Sequence, residues 1–133
     1  MLTSVQSKLQ LEAAVRHAEK ISDEALAYLD GRGISEQVAR SFNLGVVDDP
    51  APGHEAHVGW ISIPYFTVLG LCVGFKFRRL DDGKPKYGSP TGQKAHLYNV
   101  GDTQEKGKFI VVCEGELDTI VMSGMCNIPA VGV

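Results

Sequence analysis

Glu114 stands directly after a continuously apolar run, Phe109-Ile110-Val111-Val112-Cys113, and Asp118 follows four residues later. Such a run reads as a central parallel strand covered on both faces. In open α/β sheets, ligands gather where a strand ends and a helix begins. If a helix starts near Gly115, the four-residue spacing lets both carboxylates face one crevice, and Gly115 allows the tight backbone turn between them. Paired carboxylates suit a hard cation such as Mg²⁺ or Mn²⁺, which takes oxygen ligands and keeps waters or substrate phosphates. The same string also serves as an ordinary helix start, because acidic residues stabilise the positive end of the helix dipole.

A second constellation is basic. Lys76, Arg78, Arg79, Lys84, Lys86 and Lys94 fall within nineteen positions that hold only two carboxylates, Asp81 and Asp82, although the whole chain carries a net charge of -3. On a strand, Lys76, Arg78 and Leu80 share one face and Arg79 points the other way. That face, with Lys86 and Lys94 from the following loop, makes a ridge suited to neutralising phosphates. A charged edge strand that discourages aggregation has the same composition. Trp60, Tyr65, Phe66, Phe75 and Phe77 are expected in a β core rather than on a base-stacking platform. The four histidines show no metal-ligand spacing, and structural or surface roles are expected for each.

The elements that must position these groups follow from periodicity and punctuation. Residues 4–21 predict a helix with Leu11, Ala14, Val15, Ala18 and Ile21 as its apolar stripe. Ser22 has the character of an N-cap for a second helix carrying Ala25, Leu26 and Leu29 and ending at Gly31-Arg32-Gly33. Ser35 opens a third, with Val38 and Phe42 on one face. Strands are expected at 44–47, at 60–66 with Pro64 at an end or edge position, and at 71–80. Residues 84–95 should be irregular, and 96–100 a short strand. The final segment reads as a strand, a helix striped by Leu117, Ile120, Val121 and Met125, and a second strand from 128, which is one β-α-β unit.

A chain of 133 residues can form one domain or two small lobes sharing a core. Cys72, Cys113 and Cys126 are odd in number and form no C-x-x-C pair, so neither a zinc ribbon nor a disulfide framework is encoded. Cys113, inside the apolar run, is expected to be a buried free thiol. A reducing, cytoplasmic setting follows (the host cytoplasm for a phage-encoded chain), with no segment apolar enough to span a membrane.

Taken in order, these segments resemble a known family. Ala27-Tyr28-Leu29-Asp30-Gly31-Arg32-Gly33-Ile34, then Val38, Phe42, Leu44 and Gly45, resembles the Y-L-x-x-R-G-I…F-x-L-G opening of the DnaG-type primase catalytic core. The likeness continues through Ile61-Ser62-Ile63-Pro64, Gly74-Phe75-Lys76-Phe77-Arg78-Arg79-Leu80, Pro85-Lys86-Tyr87-Gly88-Ser89-Pro90 and Leu97-Tyr98-Asn99. Val111-Val112-Cys113-Glu114-Gly115-Glu116-Leu117-Asp118 resembles the first acidic motif of the Toprim fold, so the series covers about residues 24 to 133.

The resemblance implies an α+β fold: a first helix at 1–22, a helical and antiparallel subdomain at 23–105, and the opening β-α-β unit of a Toprim α/β fold at 106–133. It implies a part of a DNA primase that makes RNA primers on single-stranded DNA by metal-dependent nucleotidyl transfer. Arg78, Lys86 and Lys94 match basic residues that contact template or nucleotide phosphates, and Lys76 shares the strand face of Arg78. Arg79 stands where the family has an apolar residue. Glu114 matches the glutamate that helps arrange metal-bound phosphoryl transfer, and Asp118 matches the motif's Asp, partly structural in role. The implied cofactor is Mg²⁺ or Mn²⁺ at a site incomplete in this chain, without zinc. The implied partners are a single-stranded DNA template, ribonucleotides, a replicative helicase, and a second polypeptide completing the Toprim fold.

The family's zinc module and its later Asp-x-Asp motif are not among these residues, so the isolated chain is expected to be catalytically incomplete. An excised piece of a longer primase, a truncated gene product and one half of a split primase all remain open. The alternatives are a single-stranded nucleic-acid-binding module, or a fragment of another Toprim enzyme such as a nuclease or topoisomerase.

Overall fold

A computed structural model of the chain describes residues 3–104, 107 and 109–133. The expected boundary at 105/106 and the first two residues lie outside the described residues. Three helices lead the chain, each opened by a hydroxyl that accepts from a free backbone N–H of the first turn. Thr3 and Gln6 cap one another reciprocally at α1 (Ser4–Glu19). Ser22 accepts from Ala25 N at α2 (Asp23–Gly31), and Ser35 accepts from Val38 N at α3 (Glu36–Ser41).

An antiparallel sheet follows, formed by β1 (Gly45–Val46), β2 (Ile61–Phe66), β3 (Cys72–Arg78) and β4 (Tyr87–Gly88) in the order β1-β2-β3-β4. Alternation along β2 and β3 gives the sheet two apolar faces, and both are covered. On one face Val47, Cys72, Phe75 and Phe77 pack with Ala13 and Ala14 of α1. On the other, Ile61, Ile63 and Tyr65 pack with Ala25, Leu29, Ile34, Ala39, Leu117 and Ile120. Pro64 lies mid-strand opposite Phe75. Phe75 turns both backbone groups away from β2 to the side-chain amide of Gln93, at 2.7 and 2.8 Å. The Pro64 nitrogen therefore faces the side where β1, which pairs only with Ile61 and Ser62, has ended. Locally it is an edge position, where a missing N–H costs nothing.

The expected stripe of α1 is corrected. Leu11 and Val15 are exposed, and the buried face is Ala13, Ala14 and His17. The cause is close approach. A Cβ at Gly45 would overlap the His17 carbonyl, so helix backbone lies directly on β1 and only small side chains fit between. His17 enters this layer because its Nε2 meets Nδ1 of buried His54 at 2.9 Å.

A second, parallel sheet pairs β5 (Val111–Cys113) with β6 (Ala130–Gly132). The crossover between them is α4 (Glu116–Ile120), extended by a wider π-type turn at Val121–Met125. Of the expected stripe, Leu117 and Ile120 are buried, whereas Met125 lies in the loosened turn and is 43% exposed. Residues 96–100 do not form the expected strand: Tyr98 makes a single antiparallel bridge to Gly132, and a 3₁₀ turn follows at Val100–Gln104. The turn is held to β6 through Asp102, which accepts from Ser123 Oγ at 2.6 Å and Ala130 N at 3.0 Å. The expectation that the apolar run is covered on both faces is also corrected. Phe109 is 68% and Val112 61% exposed, and the Cys113 thiol is half-buried. One side of β5 lies near α4, and Val112 on the other side stays largely in solvent.

Candidate functional site

Glu114 follows directly on β5 with its side chain exposed. Gly115 follows with φ 83, a left-handed conformation that lets the chain reverse sharply into α4. Glu116 is turned inward: it is 5% exposed, and its carboxylate accepts from the Tyr65 hydroxyl. Burial and this bond push the Tyr65 phenol far above its ordinary pKa, and burial does the same for Tyr98, whose ring lies 5.1 Å from that of Tyr65. Thus one carboxylate anchors the acidic loop to the antiparallel sheet while its neighbour faces solvent. Sequence reading passed over Glu116; a second acidic residue at a helix start, opposite a tyrosine-bearing strand, was the available signal.

Asp118, one turn into α4, points toward Arg32 at 3.9 Å and remains exposed. Arg32 Nη1 donates to the Tyr28 hydroxyl at 3.0 Å. Burial acts to lower the Arg32 pKa, but Tyr28, Tyr87 and Asp118 together hold it above its ordinary value. The Arg78 guanidinium lies over the Tyr28 ring at 5.2 Å and over the Tyr87 ring at 5.1 Å. Its Nη1 donates to the carbonyls of Arg79 and Lys86, at 3.0 and 3.4 Å. The basic strand and the acidic helix are therefore joined by one succession of contacts: Asp118, Arg32, Tyr28, Arg78, Tyr87.

Of the residues singled out by sequence, Arg78 and Asp118 are brought to this face. Lys76 is half-buried on β3 opposite Ile63. Lys86 is exposed and next to Tyr87, and its carbonyl also receives the Arg79 N–H. Lys94 is placed differently. It lines a groove of about 980 Å³ between α1 and the loop ending at His96, near Gln10, Arg16 and Phe75. Arg79 lies over Trp60 at 5.0 Å and bonds Asp81 at 2.6 Å, a local contact that closes the turn after β3. Arg32 was missed as a site residue because it sits in a helix-ending Gly-Arg-Gly string, which reads in sequence as punctuation.

As a metal centre the residues fit only in part. Glu114 and Asp118 are oxygen donors of the right class. Asp118 is engaged by Arg32, and among the described residues no three His, Cys, Asp or Glu side chains gather closely enough to hold an ion.

These features define a class. The chain has the α+β fold of the DnaG primase catalytic core: an antiparallel sheet flanked by helices, followed by a parallel β-α-β unit. The structure of the Mycobacterium tuberculosis DnaG RNA polymerase domain, in complex with a double-stranded DNA oligomer with a 6-nucleotide overhang, superposes with a TM-score of 0.80 at 24% identity, covering 98% of this chain and 54% of that one. In sequence, the chain is 45% identical over 79 residues to the gene 57 protein of Mycobacterium phage D29, covering 56% of this chain and 51% of that protein. It is 29% identical over 136 residues to the DNA primase of Deinococcus radiodurans, covering 74% of this chain. The chain thus spans about half the phage relative and 24% of the bacterial primase. No protein-family profile matches it.

Proposed function

We propose that this chain is part of a DNA primase, the front of the RNA-polymerase core that makes RNA primers on single-stranded DNA. The observation that carries the reading is the contact succession from Asp118 through Arg32 and Tyr28 to Arg78, which sets two guanidinium groups beside the acidic loop. The primase structure with an overhang-bearing DNA supports the nucleic-acid part. In this reading residues 23–105 hold template and nucleotide phosphates through Lys76, Arg78, Lys86 and Lys94, and residues 106–133 present Glu114. Arg32 joins them as a cation between Asp118 and the tyrosine pair. Glu114 and Asp118 supply part of an Mg²⁺ or Mn²⁺ site, which lends electrostatic stabilisation to phosphoryl transfer when complete. Among the described residues no third donor stands with them, so the remaining oxygen donors would come from further Toprim polypeptide. The replicative machinery of the cytoplasm, a helicase included, is the setting of such a protein.

Binding to short single-stranded DNA across a salt series tests the first part. Lys86→Ala and Lys94→Ala are each expected to weaken binding and to lower the salt slope by about one. Unchanged affinity and slope in both variants would remove the proposed interface. A second reading, a binding module without catalysis, is favoured by the engagement of Asp118 by Arg32 at 3.9 Å. It predicts binding, and any effect on replication, that are indifferent to Mg²⁺ and to Glu114→Gln.

A further inference from the structure

Tyr87 is placed unlike the other aromatic residues of the sheet. Phe75, Phe77, Tyr65 and Tyr98 are buried, and Trp60 is held between Arg79 and His57. Tyr87 lies on β4, which ends the sheet order, and remains 38% exposed. It stands directly across the strand pair from Arg78, so the two side chains share one face. The Arg78 guanidinium lies against the Tyr87 ring at 5.1 Å and is itself fixed: Tyr28 packs on it at 5.2 Å, and its Nη1 is tied to the Arg79 and Lys86 carbonyls. One side of the ring is thus occupied by an immobilised cation while the residue keeps an open surface. Phe109 is also exposed, but it neighbours exposed Ile110 and Val112, and among the described residues no cation packs on it.

A cation packed on one side of an aromatic ring draws on its π density. The ring then meets an electron-rich nucleobase with less face-to-face repulsion, and every base offers a π-face for such stacking. Lys84 and Lys86, both exposed and adjacent in sequence, are within one to three residues of the ring and can follow the flanking phosphates.

We infer that Tyr87, backed by Arg78, is a stacking site for a base of a single-stranded nucleic acid template. This rests on the primase reading only in that the chain must bind a single strand. It adds a base contact, indifferent to sequence, to a surface otherwise made of phosphate contacts. Tyr28 and Arg32 act through Arg78 as positioning residues.

The test compares an oligothymidylate with an abasic strand of the same length and charge. The wild type should bind the base-bearing strand about tenfold more tightly, within the range of one aromatic-base stack. Tyr87→Ala should erase that preference while keeping the salt slope, since no phosphate contact is removed. Tyr87→Trp and Tyr87→Phe should restore it, with unchanged thermal midpoints reporting an intact fold. A preference that survives in folded Tyr87→Ala overturns the inference, as does a wild type that binds both strands equally. Displacement of the strand from the wild type, but not from Tyr87→Ala, by free ribonucleoside triphosphate would assign the site to the incoming nucleotide and overturn the template assignment. Failure to bind either strand contradicts the primase reading itself, a different outcome from losing only the base dependence.

Discussion

The antiparallel sheet and the parallel β5-α4-β6 unit are built from similar apolar residues but are treated oppositely by the fold. The first is covered on both faces, by α1 on one and by α2, α3 and α4 on the other, with Phe75, Phe77, Ile61 and Ile63 at 1% exposure or less. The second leaves Phe109 and Val112 mostly in solvent. Removing apolar surface from water is the main favourable term in folding, so stability should reside in the first region. The second region holds the acidic loop; Leu117 and Ile120 of α4 sit in the core of the first, and further ties join the two. Tyr65 to Glu116, Arg32 to Asp118 and the Tyr98 bridge to Gly132 are among these ties.

The largest effect that could break this comparison is truncation inside the covered sheet. Phe75→Ala should cost about 3–5 kcal/mol in chemical denaturation, as for a buried aromatic that leaves a cavity. Val112→Ala, an apolar truncation on the exposed face of β5, should stay within about 0.5 kcal/mol. Comparable losses at the two positions would contradict the division.

The covered sheet also carries an acid-sensitive layer that the parallel unit lacks. Burial, the neighbouring His54 and Arg16 lower the His17 pKa to about 4, against a small opposing pull from Asp49. Burial lowers that of His54, with His57 and Arg16 in the same direction and Glu55 opposed. The folded chain therefore binds fewer protons than the unfolded chain between the ordinary histidine value of 6.5 and about 4. Stability is full above that window and falls as the pH is lowered through it. Denaturation midpoints at about pH 7 and about pH 5 check the sign, and His17→Gln should flatten the difference.

A smaller change sharpens the comparison at the joint. Tyr65→Phe leaves the buried Glu116 carboxylate without its hydroxyl donor and should cost about 1–3 kcal/mol. Amide exchange should quicken in residues 114–120 more than in β2 and β3. A uniform change across both regions would mean that Tyr65 does not act as a tie.

Local punctuation made much of this legible in sequence. The Ser22 and Ser35 caps, the strands around 61–66 and 72–78, and the β-α-β order were all readable, because capping and period-two alternation are written in neighbouring residues. What was not readable depends on contact across the fold. The buried face of α1 could not be told from hydrophobicity, because close backbone approach at Gly45 favours the small Ala13 and Ala14, and buried His54 draws in His17. The cover on β5 could not be told, since a continuous apolar run looks the same whether or not its neighbours are present. Arg78 and the acidic motif were both visible in sequence. The residues that join them, Tyr28 and Arg32, were visible as part of the family's opening motif but not as neighbours of Arg78 and Asp118, which lie far away in the chain.

The central claim is that Glu114 faces a nucleotidyl-transfer site completed by further Toprim polypeptide. It is tested most directly by combining the chain with a polypeptide that supplies the remaining Toprim strands, and measuring templated incorporation of labelled ribonucleotides with Mg²⁺. The account predicts primers from the wild type and a loss on the order of a hundredfold or more in Glu114→Gln, with single-stranded DNA binding retained. Equal primer synthesis by wild type and Glu114→Gln would contradict it.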